Sequence, residues 1–497
     1  MNPEVARGPL DFGTVGIVAV GLYLVALVVV AEIARRSRKD LSPGDHFLAG
    51  RELGTLVLFL TLYATAYSGN SLLGYPGRAY RSGFSFIMAT GFMMAIVVVF
   101  HALVPKLRPA AMAGNYITPG DWLRDRFRGQ RGARGLRLWV AGLMSVAMVN
   151  FLLAQLKAMG AVTSRVSGEA IPYWVGVVGL AALILFYETR GGMRAVSWTD
   201  AAQGILMVLG LAALFAWILD EGGGLAGITQ AVAAVRPEAV AVPDAETRAN
   251  WFSTIVLLGL ASVVYPQAIQ RIYAARDGRT LRRSMALMTF MPLVTTLVVT
   301  LIGIAAIGQV ELLPGVESDE VLPEMLVRWG ESGTVETVLG VTVFVAALAA
   351  IMSTADSCLL SLGSLLACDV LGGAASAEKT TRWGKIAAAV FLVAMIPLAL
   401  SEEITLWRLI ELKLELLIQC VPAFLLALHW SGLTARGALA GILIGLAWGV
   451  GLTLAGVPRI YGIHVGVIGL VWNVATAIAV SSLDRTGFPV ERVSSDS

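Results

Sequence analysis

The stretch TLYATAYSGNSLLGYPG at residues 61–77 interrupts an apolar segment with glycine, serine, asparagine and proline. Lipid cannot satisfy the polar groups of an unwound backbone, so such interruptions line a cavity or a ligand site. A second interruption, LLGLASVVYPQAIQR at 257–271, follows five predicted spans later. An odd offset gives the two copies opposite membrane orientations, as in an inverted repeat. Packing of small residues is the alternative explanation, mainly for the second interruption.

The composition of the whole chain indicates a membrane protein. Of its 497 residues, 57% are hydrophobic and 14% are charged, and the mean hydropathy is +0.76. Soluble domains carry about 25% charged residues, and three cysteines cannot make a disulfide scaffold. We therefore predict an all-α polytopic membrane protein. Thirteen stretches approach the ~20 apolar residues that a spanning helix needs; they lie near 14–34, 54–76, 82–104, 136–162, 171–188, 195–219, 252–272, 285–308, 337–369, 383–400, 404–428, 435–455 and 460–482.

The placement of charge predicts the orientation. Most Lys and Arg residues lie in the loops after odd-numbered spans and in the C-terminal tail, as at 35–39, 106–137 and 271–283. The opposite loops are acidic, as at 311–336. The positive-inside rule then puts the N-terminus outside and the C-terminus inside. Beside a membrane, the run 106–137 indicates contact with anionic lipid rather than with nucleic acid. No Walker motif is present, so we expect no ATP.

Span 9 carries a cluster of oxygen-bearing side chains. Ser353, Thr354, Asp356 and Ser357 fall within little more than one helical turn of AAIMSTADSCLLS. Hydroxyls, carbonyls and carboxylates are the ligands that a hard cation prefers. Serine hydroxyls also bond back to the preceding turn, and that alternative stays open. A carboxylate inside a membrane is costly, however, and normally faces a partner or a cavity.

Three other polar residues lie inside predicted spans. Asp200 is near the cytoplasmic end of span 6, where it could also complement the helix dipole. Gln155 and Lys157 in span 4 are about 200° apart on a helix, so they cannot both face one cavity. We expect packing or interhelical bonding for those two residues.

Span 11 has a polar face. Glu411, Glu415 and Gln419 follow one another at four-residue intervals, and Arg408 could pair with Glu411. Lys413 lies on another face. The polar face is either a wall of a substrate cavity or a structural cluster of ion pairs.

With these residues in view, the chain resembles the sodium:solute symporter family. The resemblance rests on five stretches in order: DHFLAGRELG (45–54), SGNSLLGYPGRAYRSGFS (68–85), GGMRAVSWTDAAQ (191–203), PQAIQRIYAARDGRTLRRS (266–284) and AAIMSTADS (349–357). It implies the leucine-transporter-like fold with a five-plus-five inverted repeat in a single transporter domain, 1–497. The expected parts are an extra helix at 14–34, repeats at 54–219 and 252–428, and two C-terminal helices at 435–482.

The resemblance also implies a set of sodium ligands. One sodium ion would be bound by the carbonyls of Ala64, Tyr67 and Ala350 and by the hydroxyls of Ser353 and Thr354. Some members hold a second sodium, whose matching positions are Asp200, Ser353, Asp356 and Ser357. Two-sodium members often carry a hydroxyl residue at position 356, so aspartate leaves a second sodium or a proton open.

For the solute, the resemblance points to spans 2, 3, 4, 7 and 11. The candidate contacts are Ser68, Asn70, Ser71, Glu415 and Gln419. Sugar-transporting members place an aromatic gate residue where this chain has Ala261, and a polar sugar contact where it has Leu258. An organic acid, an amino acid or a similar metabolite is therefore favoured over a sugar.

We thus expect a secondary active transporter of the cell membrane, inner or plasma, rather than an enzyme. Its partners would be sodium, a small solute and the bilayer. One alternative keeps the fold but couples protons through Asp200 and Asp356. The other is a transporter-like membrane sensor.

Overall fold

The computed structural model of the chain describes residues 13–40, 42–167, 170–309, 321–330, 333–372, 376–401 and 413–484, and these are mostly helical. The helices of the first half are α1 (Gly13–Arg36), α2 (Pro43–Leu48), α3 (Thr55–Ala66), α4 (Tyr75–Ser82), α5 (Met88–Gly114), α6 (Pro119–Arg126), α7 (Ala133–Val166), α8 (Tyr173–Glu221) and α9 (Gly224–Val235).

The second half continues the helical pattern. Its helices are α10 (Ala245–Ala261), α11 (Pro266–Ala274), α12 (Gly278–Met288), α13 (Val298–Gln309), α14 (Val321–Gly330), α15 (Thr334–Ser364), α16 (Ala377–Ala399), α17 (413–418), α18 (Ala427–His429), α19 (Ala435–Leu454) and α20 (Val465–Asp484). One antiparallel hairpin pairs β1 (Arg459–Ile460) with β2 (Ile463–His464). Single turns of 3-10 or π helix occupy Ala49–Arg51, Asn70–Gly74, Gly83–Ile87, Pro237–Val240, Ser262–Val264, Pro292–Leu297, Leu365–Val370 and Pro422–Leu426.

Ten segments of the described residues are long and apolar enough to cross a membrane, whereas the sequence predicts thirteen. One difference lies in α8, whose 49 residues contain two predicted spans. At 1.5 Å per residue α8 would measure roughly 74 Å, more than twice the hydrocarbon thickness. Gly192 interrupts it with a φ of 56°. The predicted span 404–428 begins among residues 402–412, which lie outside the described part.

The first predicted interruption is confirmed between α3 and α4. Helix α3 ends at Ala66, and Tyr67 has non-helical dihedrals (φ −107°, ψ 89°). The chain resumes as the π-helical turn Asn70–Gly74 and continues into α4, which has a proline in its first turn. The unwound backbone around Ser68 is buried within the protein. Lipid therefore does not meet the polar backbone groups of this break.

The second predicted interruption is confirmed between α10 and α11. Helix α10 ends at Ala261, and the turn Ser262–Val264 leads to Tyr265, whose ψ is 127°. Pro266 then opens α11. Proline disfavours helical dihedrals in the residue before it, which explains why the helix breaks at Tyr265.

Helix α15 forms the centre of the bundle. In its most apolar window, 83% of the residues are buried, compared with 17% in α1. A helix that is apolar on all sides is stable only inside a protein or a membrane. Helix α15 packs against α3, α7 and α8, so its polar cluster faces other helices.

The break in α3 brings the chain very close to α15. A Cβ atom added at Gly69 would lie 2.3 Å from Cγ1 of Ile351. We predict that Gly69→Ala destabilises the protein by about 1–3 kcal/mol through overpacking. The test is thermal unfolding of the purified protein in detergent.

Gly21→Ala in α1 is the matched control, because no atom lies within 4 Å of its added Cβ. Alanine there should be neutral or stabilising by up to about 1 kcal/mol. Equal melting temperatures for the two variants would contradict the close approach at Gly69.

Candidate functional site

A cavity lies between the two helix breaks. Ser68 and Ser71 line it from the first break, and Ser262 and Tyr265 from the second. Its remaining wall is largely apolar and comes from α3, α4, α5, α7, α10, α11, α12, α17 and the β1–β2 hairpin. The apolar residues of this wall include Phe92, Met93, Ile96, Val97, Phe100, Phe151, Leu257, Leu258 and Leu414. A mostly apolar pocket with a few convergent polar groups is typical of small-molecule sites.

The predicted solute contacts divide into two groups. Ser68 and Ser71 line the cavity, as does Leu258, which is an apolar wall residue. The side chain of Asn70 lies outside the described part of the structure. Ala261 is fully buried in the packing behind the cavity wall.

Glu415 and Gln419 are directed elsewhere, which corrects the prediction of cavity-lining positions. Glu415 accepts a hydrogen bond from the Thr453 hydroxyl at 2.7 Å. The Gln419 amide donates to the Gly466 carbonyl at 2.9 Å and accepts from Asn473 at 3.1 Å. The polar face of span 11 therefore packs against α19 and α20. Arg408 and Glu411, predicted on the same span, lie outside the described residues.

Four of the five predicted sodium ligands meet where α15 contacts the end of α3. The Ser353 hydroxyl lies 3.0 Å from the Ala64 carbonyl and 3.1 Å from the Ala350 carbonyl. The Thr354 hydroxyl lies 3.1 Å from the same Ala350 carbonyl. Tyr67, the fifth, is the residue at which α3 ends. These neutral oxygen atoms match the preference of a hard monovalent cation.

The second predicted cation site contains a guanidinium group. Arg271 Nη2 lies 2.8 Å from Asp200 Oδ2 and 2.6 Å from the Ser357 hydroxyl. Its Nε donates to Thr61 at 2.8 Å, and Thr61 in turn donates to Asp200. Its Nη1 donates to the Gln267 carbonyl at 3.1 Å. The ion pair thus joins α3, α8, α11 and α15.

Arg271 corrects one part of the sequence analysis. The basic run 271–283 was assigned to a cytoplasmic loop, yet the Arg271 side chain is only 1% exposed. Arg271 belongs to α11, which directly follows the second helix break. Asp200 therefore has a buried basic partner instead of an exposed position in the first turn of a helix.

Asp356 has a different environment. The Tyr187 hydroxyl donates to Asp356 Oδ2 at 2.6 Å, and the Ser357 hydroxyl lies 3.3 Å from Oδ1. Among the described residues, no Lys, Arg or His forms a salt bridge with this carboxylate. Asp200 thus forms a direct salt bridge with Arg271, whereas Asp356 forms none within the described chain.

Sequence reasoning missed two further polar residues. Lys413 lines the cavity, although the helical pattern put it on the face opposite Glu415. Gln155 is fully buried beside Gly69, and neither atom of its amide has a partner in the described part of the chain. Lys157 points away and donates to the Ser401 carbonyl. No local sequence signal tells which face of a span meets the cavity.

We predict that Asp200→Asn lowers the free energy of unfolding by about 3–5 kcal/mol, because it leaves the Arg271 charge buried without its partner. Asp484→Asn is the control, since its pair with Arg436 is largely exposed and is worth about 1 kcal/mol or less. Denaturant unfolding in detergent measures both. Similar losses for the two variants would contradict the central role of the buried pair.

Comparison with known proteins agrees with this geometry. The family model described as the sodium:solute symporter family matches residues 46–445. The osmoregulated proline transporter OpuE of Bacillus subtilis (strain 168) is 25% identical over 94% of this chain and 95% of its own length. A sodium/proline symporter of Staphylococcus aureus is 24% identical over 94% of this chain and 92% of its own.

Solved structures share the fold. A substrate-bound, outward-open Na⁺-coupled sialic acid symporter has a TM-score of 0.80 at 20% identity, over 97% of this chain and all of that one. A closed nucleobase-cation-symport-1 family transporter has a TM-score of 0.60 at 17% identity, over 92% and 98%. The protein is a multi-pass plasma membrane transporter, not an enzyme, with sodium as its coupling ion. The chain belongs to the sodium:solute symporter family.

Proposed function

We propose that the protein imports a small organic solute together with sodium by alternating access. The observation that carries the proposal is the hydroxyl and carbonyl cluster of Ser353, Thr354, Ala350 and Ala64, one turn from the cavity. Sodium bound there would hold α15 against the broken α3 and so complete the solute site. Coupling requires that each ligand favour the state that binds the other. The sodium gradient, rather than ATP, would supply the energy.

An organic acid or an amino acid is our proposed solute class, with Ser68 and Ser71 among its contacts. Two features support it. The cavity wall has the apolar Leu258 where sugar-transporting members have a polar contact, and Ala261 replaces their aromatic gate. The relatives include proteins named as proline transporters, and proline is an amino acid.

We also propose thirteen membrane crossings with the N-terminus outside and the C-terminus inside. The repeats would be 54–219 and 252–428, with additional helices at 14–34 and 435–482. Two observations support this arrangement. Gly192 divides the overlong α8, and the two helix breaks occupy corresponding positions in the repeats.

Sodium binding is testable without knowing the solute. We predict that sodium chloride raises the melting temperature of the wild type relative to potassium and choline chloride. Ligand at 100 times its dissociation constant adds about 2.7 kcal/mol to stability. The double variant Ser353→Ala/Thr354→Ala should lose this sodium-specific shift, because it removes both hydroxyl ligands.

Thr342→Ala is the matched control in the same helix. Its hydroxyl also bonds back to the helix, at 2.8 Å from the Val338 carbonyl, but it lies outside the predicted sodium site. This variant should keep the sodium shift. A double variant that responds to sodium like the wild type would contradict the assignment.

For Asp356 we propose a second monovalent cation, sodium or a proton. The support is its buried carboxylate, with which no basic residue of the described chain forms a salt bridge. If the cation is sodium, the Hill coefficient of sodium-driven uptake should be about two in the wild type and about one in Asp356→Asn. If it is a proton, a pH gradient should drive uptake in the wild type only. Wild-type behaviour of Asp356→Asn in both assays would exclude the carboxylate from coupling.

A further inference from the structure

Lys413 is a buried basic residue of the cavity between the two helix breaks. It stands at the start of the described part of α17, and the whole residue is only 3% exposed. Its Nζ atom lies 3.0 Å from the centre of the Phe151 ring and 5.6 Å from that of Tyr265. The two rings stack on each other at 5.9 Å. The aromatic pair fixes the position of the ammonium group and attracts its charge.

The aromatic rings do not satisfy the ammonium group. It has three N–H donors, and a ring face is a weak substitute for an oxygen acceptor. No Asp or Glu of the described residues forms an ion pair with Lys413. Glu415, the acid in the described part of the same helix, turns the other way and accepts a hydrogen bond from Thr453. The ammonium therefore borders the cavity with donors to spare.

Among the described residues, the charged groups that line the cavity are all basic. They are Arg78, Arg271, Lys413 and Arg459. Arg271 is paired with Asp200, so its charge is compensated inside the protein. Arg78 and Arg459 also make contacts of their own within the protein. Within the described part of the chain, the Lys413 Nζ atom contacts two aromatic rings and no acidic group, so a negatively charged ligand in the cavity would supply its counter-ion.

A second unsatisfied group lies in the same cavity. The Oε1 atom of Gln267 is buried and has no hydrogen-bond partner among the residues that the structure describes, while its Nε2 faces the sulfur of Cys358 at 4.0 Å. Gln267 belongs to the first turn of α11, directly after the helix break. A buried acceptor costs free energy unless a ligand or water satisfies it. The cavity thus offers one cationic donor and one neutral acceptor between apolar walls.

We propose that Lys413 binds the carboxylate of the transported solute and thereby selects small carboxylates with an apolar body. This inference rests on the proposed transport function and assigns the solute contact to a residue outside the predicted set. An ammonium and a carboxylate form charge-assisted hydrogen bonds, which are stronger than neutral ones. The acid is either a simple monocarboxylate or an amino acid, whose amino group would donate to Gln267.

The experiment compares acids with their own amides, which differ only in the group that Lys413 would bind. Melting temperatures of the purified protein in sodium chloride are measured with propionate, propionamide, L-proline and L-prolinamide. At least one of the two acids should stabilise the wild type, and its amide should not. A response to proline alone identifies an amino acid site, and a response to propionate identifies a monocarboxylate site.

Lys413→Gln should weaken binding of the responding acid at least tenfold, whereas Lys413→Arg, which keeps the charge, should recover part of it. Lys157→Gln is the matched control, because Lys157 is also buried but donates to the Ser401 carbonyl. It should leave acid binding unchanged. Unaltered acid binding in Lys413→Gln overturns the proposal, as does a wild type stabilised by neither acid or equally by an acid and its amide.

The sodium response separates this inference from the proposed function. Lys413→Gln should keep the sodium-specific melting shift, because Lys413 lies outside the cluster around Ser353. If Lys413→Gln keeps the sodium shift and binds the acid as the wild type does, only the role of Lys413 is refuted. The absence of any sodium shift in the wild type refutes the proposed function itself.

Discussion

The buried ion pair of Arg271 and Asp200 holds the functional core together. Arg271 uses its planar fork of N–H groups to reach α3, α8 and α15 from its own position on α11. An arginine keeps its charge at any depth, so its burial is tolerable only with a carboxylate and enough acceptors around it. Because α3 leads into the first helix break and α11 follows the second, this network connects the helices next to both breaks.

The pair of Arg271 and Asp200 also changes the chemistry of the predicted second cation site beside it. Because Arg271 binds Asp200, the oxygen atoms that were predicted to bind a second cation no longer form a single acidic cluster. Within the described part of the chain, Asp356 accepts hydrogen bonds from the hydroxyls of Tyr187 and Ser357 alone. The core thus contains two oxygen-rich environments of different chemistry, one of neutral oxygens around Ser353 and one with a carboxylate. Cation binding by neutral oxygen atoms and cation binding by a carboxylate differ in how strongly they depend on pH.

Much of this arrangement could be predicted from local sequence. Glycine, serine and proline marked both helix breaks, because those residues remove or replace helical hydrogen bonds. The hydroxyl cluster of span 9 was visible from its spacing alone. The residues that sequence misplaced depend on tertiary packing. Arg271 follows a helix break and precedes a basic loop, so nothing local distinguishes it from its exposed neighbours.

Span 11 also shows that local sequence does not determine tertiary packing. Periodicity correctly separated Glu415 and Gln419 from Lys413, but it could not tell which face meets the cavity. That choice is made by α19 and α20, whose Thr453 and Asn473 bond to the acidic face. The Lys413 side chain of the same span therefore lines the cavity. Amphipathic pattern defines two faces, and neighbouring helices decide which one becomes the site.

The charge balance of the core has an electrical consequence. Counted at their formal charges, Asp200 and Asp356 contribute two negative charges and Arg271 and Lys413 two positive ones, so these four groups sum to zero. With these charges, the four groups would add no electrical work when the empty carrier returns across the bilayer. One sodium ion with one carboxylate keeps the sum at zero, whereas each further cation adds about 2.3 kcal/mol per 100 mV of membrane potential. The number of cations bound per carboxylate would then decide whether voltage, as well as concentration, drives accumulation.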